Sequence, residues 1–114
     1  MRRAPDGKQK GSTINARVES AITSPTYGDS FRRWRCLIPA DGFYEWHPIE
    51  GAPLARGKPP KQPYWITRED AEPFAFAGLY SVWRAKDGDP WLLSCSILTE
   101  PALGPIERIH DRCP

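Results

Sequence analysis

A chain of 114 residues with 39% apolar side chains, a mean hydropathy of -0.59 and a formal net charge of +2 fits one small domain with a modest core. No apolar run approaches the roughly 20 residues that a membrane-crossing helix needs, and no apolar stretch of the secretory kind follows the basic start Met1-Arg2-Arg3, so a soluble cytoplasmic protein is expected. The three cysteines, Cys36, Cys95 and Cys113, are odd in number and lack CxxC spacing; they read as free thiols, neither a disulfide framework nor a metal site.

In chain order, residues 1–13 are polar and Gly-containing and read as a flexible N-terminal segment, with the domain proper over 14–114. Ile14 to Val18 reads as a short extended piece. Ala21 to Trp34 is ambiguous: Ser24-Pro25 has the chemistry of a helix entry, with Ser as the cap and Pro at the first helical position, and Phe31-Arg32-Arg33-Trp34 would end it. Arg35 to Ile38 reads as a strand stopped by Pro39, Ala40-Asp41-Gly42 as a turn and Phe43 to Trp46 as a second strand. Residues 47–63, with Pro48, Pro53, Pro59, Pro60 and Pro63 beside Gly51 and Gly57, predict a long exposed loop. Strands follow at Tyr64 to Thr67, Phe74 to Trp83 and Trp91 to Leu98, the last two joined by a hairpin turn at Lys86-Asp87-Gly88-Asp89. Ala102 to Ile109 reads as a short helix begun or broken at Pro105. Many strands and one or two helices make the class α+β.

Charge is unevenly placed. Residues 1–36 carry eight basic and three acidic side chains, a net of +5, and the remainder carries -3. A basic face for a polyanion and a solvated helix surface both explain such asymmetry.

Four places carry candidate chemistry. Asn15-Ala16-Arg17 offers an amide that donates and accepts, and a guanidinium whose planar fork suits a phosphate; an Asx turn followed by a surface Arg is the structural alternative. Glu45 stands between Phe43, Tyr44 and Trp46, and a carboxyl kept in apolar company suits general acid–base work; pairing to an arginine or a place at a strand edge would explain it equally. Strand alternation puts Phe43 and Glu45 on one face, Tyr44 and Trp46 on the other. His110, in Ile109-His110-Asp111-Arg112, is placed for proton transfer, though a lone His is more often structural. Thr99, read as following the strand that ends at Leu98, offers a hydroxyl to a phosphate or simply makes a turn.

In order, Asn15-Ala16-Arg17, the block Cys36-Leu37-Ile38-Pro39-Ala40-Asp41-Gly42-Phe43-Tyr44-Glu45-Trp46, Ser94-Cys95-Ser96-Ile97-Leu98-Thr99 and Ile109-His110-Asp111-Arg112 closely resemble the SOS response-associated peptidase (SRAP) family of abasic-site processing proteins, from about Ile14 to Pro114. The resemblance implies a β-rich SRAP-like fold, single-stranded DNA with abasic sites as the partner, no cofactor, and a monomer associated with the nucleoid. It implies that an N-terminal cysteine reacts with the opened sugar aldehyde, its amine making an imine and its thiol closing a thiazolidine, and that the same site cleaves its own N-terminus. Asn15 would then orient the cysteine and sugar, Glu45 would serve as acid and base, and His110 would stabilise the open sugar. Arg17 and Thr99 would contact the DNA backbone, with Arg32 and Arg33 adding to the DNA-binding face.

The sequence departs from that pattern where the nucleophile should stand. Residue two is Arg2, and Cys36, Cys95 and Cys113 all have their amines in peptide bonds. On this reading the chain is an internal fragment without the N-terminal cysteine and the C-terminal strands, and exposed sheet edges predict marginal stability. Two other classes stay open: a remnant that only grips single strands through Arg17, Arg32, Arg33 and Arg35, and an inert or partner-binding piece.

Overall fold

The computed structural model describes residues 13–84 and 86–114, so the expectation for the N-terminal segment falls almost wholly outside the described residues. Its elements are β1 (Asn15–Arg17), α1 (Val18–Ala21), α2 (Gly28–Arg33), β2 (Arg35–Ala40), β3 (Phe43–Pro48), β4 (Lys61–Ile66), β5 (Phe74–Trp83), β6 (Leu92–Pro101), a 3-10 helix (Gly104–Arg108) and β7 (Arg112–Cys113). A strand-rich chain with two short helices is the α+β class that the sequence predicts. The chain forms two compact units.

The first unit holds residues 13–38, Ala75–Glu100 and Pro114. Its sheet runs β1-β6-β5-β2. β5 and β6 are antiparallel, joined through the expected turn, in which the Asp89 N–H bonds the Lys86 carbonyl at 3.2 Å and Gly88 takes φ +91°. β1 pairs parallel to β6, setting Asn15 opposite Ile97 and Arg17 opposite Thr99. Alternation along β5 buries Leu79 and Ser81 on one face. There they meet Thr26, Tyr27 and Ser30 from the helical segment and Ser94 and Ser96 from β6 around one small cavity. The Ser81 and Ser94 hydroxyls lie 3.2 Å apart, so a core rich in hydroxyls still satisfies its polar atoms. On the opposite face Gly78 leaves room for β2: a Cβ there would stand 2.7 Å from Ile38 Cδ1 and 3.0 Å from Cys36 Sγ.

The second unit holds Pro39–Phe74 and Pro101–Cys113. β3 and β4 form an antiparallel pair in which Tyr44 faces Trp65, Glu45 faces Tyr64 and His47 faces Gln62. Gly42 enters β3 where no side chain fits, since a Cβ would lie 2.6 Å from the Ile66 carbonyl oxygen and 2.4 Å from the Trp65 ring. Thr67 Oγ1 donates to the Asp41 carbonyl at 2.7 Å and closes the open end of the pair. In the other stretch, Pro105 sits in the first turn of the 3-10 helix and Glu107 Oε1 accepts the Gly104 N–H at 3.1 Å. The Ala102 N–H bonds the Asp111 carbonyl at 3.0 Å, folding this stretch back on itself.

Several boundaries differ from the sequence reading. Strand β2 runs on through Pro39 to Ala40, because it is the last strand in its sheet order and an edge strand spares the N–H that proline lacks. The predicted loop over 47–63 is largely an extension of the β3–β4 hairpin. The Ile49 N–H bonds the Pro60 carbonyl at 2.9 Å, and Ala55 and Lys58 exchange bonds around a tight turn at Arg56 (φ +52°) and Gly57 (φ +76°). Ser24 and Pro25 do not open the helix as expected: Ser24 Oγ accepts the Thr26 N–H at 3.2 Å within a turn, and α2 begins four residues later, at Gly28, with Tyr27 at its N-cap. β6 extends to Pro101, which places Thr99 inside the strand, 8% exposed, rather than after its end.

Candidate functional site

Glu45 and His110, far apart in the chain, meet in the second unit. Along β3 the inward face carries Phe43, Glu45 and His47, while Tyr44 and Trp46 point outward and are 61% and 49% exposed. The apolar company that the sequence gives Glu45 is therefore reduced to Phe43 on its own face; Tyr64 is its cross-strand partner. The Glu45 side chain is still only 19% exposed.

His110 comes from the segment after the 3-10 helix. The Ile109 and His110 N–H groups both bond the Ile106 carbonyl, at 2.9 and 3.0 Å, which ends the helix and turns the chain. His110 Nδ1 lies 3.1 Å from both the backbone nitrogen and the carbonyl oxygen of Arg112, accepting from the N–H in one tautomer and donating to the carbonyl in the other. It lies 3.1 Å from Asp111 Oδ1 and 3.9 Å from Glu45 Oε2. When the ring is protonated at both nitrogens, Nδ1–H faces the two carboxylates. At 3.9 Å the carboxyl and the imidazole are within ion-pair distance but beyond a direct hydrogen bond.

Asn15, Arg17 and Thr99 lie together in the first unit. Parallel register sets Arg17 beside Thr99, and strand alternation puts Asn15 and Arg17 on one face of β1. Both are exposed, whereas Thr99 is buried and far less open to a phosphate than the sequence suggests. The Asn15 carbonyl accepts the Tyr27 hydroxyl at 3.1 Å, and burial pushes the Tyr27 pKa up, so that hydroxyl remains a donor at neutral pH. Arg32 is occupied within its own helical segment: Nη2 donates to the Ile22 carbonyl at 3.2 Å, and Nη1 stands 3.8 Å from Asp29. Arg33 is exposed on α2. The structure thus brings Glu45 to His110 and Arg17 to Thr99, each pair within its own unit.

Sequence reasoning passed over His47. Its signal was the spacing Glu45-Trp46-His47, which on a strand puts both functional side chains on one face. Among the described residues no group of three or more His, Cys, Asp and Glu side chains gathers in a way that could hold a metal, and no helix is long and apolar enough to cross a membrane.

Comparison with known proteins places the chain in a family. The chain is similar to the abasic site processing protein YoqW of Bacillus subtilis, 38% identical over 111 residues that cover 97% of this chain and 46% of YoqW. It is similar to the abasic site processing protein HMCES of Xenopus tropicalis, 30% identical over 129 residues covering 96% of this chain and 36% of HMCES. A crystal structure of a protein from Bacteroides thetaiotaomicron superposes with a TM-score of 0.77 at 30% identity, covering 90% of this chain and 42% of that one. The chain spans about half the length, or less, of the curated relatives it matches. The model of the family described as SOS response associated peptidase (SRAP) matches residues 2–114. With that match over nearly its whole length, the chain belongs to the SRAP family.

Proposed function

We propose that this chain is part of a protein that binds and processes abasic sites in single-stranded DNA, with Glu45 and His110 as its acid–base pair. The observation that carries the reading is the 3.9 Å approach of His110 Nδ1 to Glu45 Oε2 on a half-buried strand face. The substrate class comes from the names of the relatives, which are abasic site processing proteins. An amine that attacks the opened sugar aldehyde gives a carbinolamine, and water leaves it only when a proton reaches the hydroxyl. Glu45 and His110 would deliver and recover that proton. Asn15 would orient the sugar through its amide; Arg17, Arg32, Arg33 and Thr99 would contact the DNA backbone, Arg17 and Arg33 being the most accessible. The complete protein would act in the cytoplasm as a monomer, without a cofactor, and would crosslink through an N-terminal cysteine and cleave its own N-terminus.

A second reading, binding without a thiazolidine crosslink, is favoured by the cysteines. Cys36, Cys95 and Cys113 lie on strands β2, β6 and β7 with their nitrogens in peptide bonds, so none can close a thiazolidine ring with its own amine. Gels of the chain with abasic and intact single-stranded oligonucleotides separate the readings. We expect a salt-sensitive shift that prefers the abasic strand, and a borohydride-trapped band if an amine of the chain forms an imine. A shift without any trapped band leaves binding alone, and no shift at any salt concentration overturns both readings.

A further inference from the structure

We propose that His47 is a positioning residue for His110; the idea rests on the acid–base role given to His110 above. Glu45 and His47 are two residues apart on the same face of β3. Ile109 and His110 are consecutive. The two pairs meet residue for residue: Glu45 stands by His110, and His47 Nδ1 lies 3.2 Å from the Ile109 carbonyl oxygen. A carbonyl has no proton to give, so Nδ1 carries the hydrogen and donates it.

The peptide group between Ile109 and His110 is planar, and its carbonyl and N–H turn together. The N–H end is held by the Ile106 carbonyl at 3.0 Å, and the carbonyl end by His47. With both ends fixed, the plane sets the direction in which the His110 Cα–Cβ bond leaves the backbone. The Arg112 backbone then fixes the rotation of the ring by bonding Nδ1. Without His47 the plane is tethered at one end only, and His110 can swing from Glu45. The His47 ring is itself braced edge-on against Tyr64, centroids 6.5 Å apart at 80°. Tyr64 is the cross-strand partner of Glu45, so one aromatic ring borders both functional side chains.

The test reads the rings directly. In the 15N-histidine-labelled wild-type chain, long-range proton–nitrogen correlations should show neutral His47 as the Nδ1–H form. His47→Phe keeps an aromatic ring and removes the donor; the ring nitrogen signals of His110 should then shift. Borohydride trapping of abasic single-stranded DNA should slow roughly tenfold, inside the hundredfold that a misplacement of about 1 Å can cost. His47→Asn sets an amide N–H near the place of Nδ1 and should keep both signatures. The proposal is overturned by a wild-type His47 in the Nε2–H form, a measurement that needs no variant. It is overturned equally if His110 is unmoved in a folded His47→Phe chain, or if His47→Asn behaves like His47→Phe. A wild-type chain that traps no abasic DNA counts against the imine reading alone, since the ring signals still decide the role of His47.

Discussion

Two carboxylates of the second unit show how environment divides similar groups. Glu45 is screened by a strand face and paired with an imidazole. Asp70 stands half-exposed on a loop, accepts Arg68 Nε at 2.8 Å and the Glu72 N–H at 3.1 Å, and is held down to a pKa of about 2, chiefly by the hydrogen bond from Arg68. Its folded value lies below the ordinary 3.8, so the interaction adds stability that is present above about pH 3.8 and is lost as the pH falls through about 2. Asp70→Asn should therefore destabilise slightly at neutral pH, and the gap from wild type should close between those two values in denaturant titrations. High salt should shrink the neutral-pH gap as well, since the pair is exposed. A gap that persists below pH 2 would assign the effect to packing or to the loop backbone.

At the level of elements, the β3–β4 hairpin governs the site because it fixes which side chains share a face. Its tip holds Arg56 at φ +52° ahead of Gly57 at φ +76°, the two left-handed residues of a type I′ turn. A long side chain tolerates that region poorly, and asparagine far better. Arg56→Asn should stabilise the hairpin by about 0.5–1 kcal/mol, read as slower amide exchange at Ala55 and Lys58. The sequence made much of this legible. The alternation of Phe43 to Trp46, the full length of β5 from Phe74 to Trp83 and the Lys86–Asp89 turn all follow from local pattern. What it hid depended on distant partners. Prolines at 39, 48 and 63 signal breaks locally, yet edge places in a sheet tolerate them. Thr99 seemed to follow a strand because Glu100 and Pro101 look like loop; β6 runs on through both. Pairing of Glu45 with His110 was legible only through family resemblance, since 64 intervening residues carry no local trace of it.

Taken unit by unit, the molecule leaves much apolar surface in water. In the first unit Leu37 is 75% and Leu93 73% exposed; in the second, the tilted rings of Tyr44 and Trp65 lie with centroids 4.9 Å apart on the outer hairpin face while remaining more than half exposed. Among the described residues, Leu79 is the one large side chain that is fully buried. Surface of this kind drives association. Sedimentation of the 114-residue chain should show self-association that grows with concentration, and a cooperative melt as a soluble monomer would contradict it.

The parallel pairing of β1 with β6 also bears on how the chain is made. Asn15 emerges from the ribosome well before its partner Ile97, which is more than 80 residues downstream. At roughly 5–20 residues per second, β1 waits several seconds in the nascent chain with no edge to join. Arg17 and Thr99 come side by side only once β6 has emerged, so the candidate DNA contacts of the first unit are among its last parts to assemble.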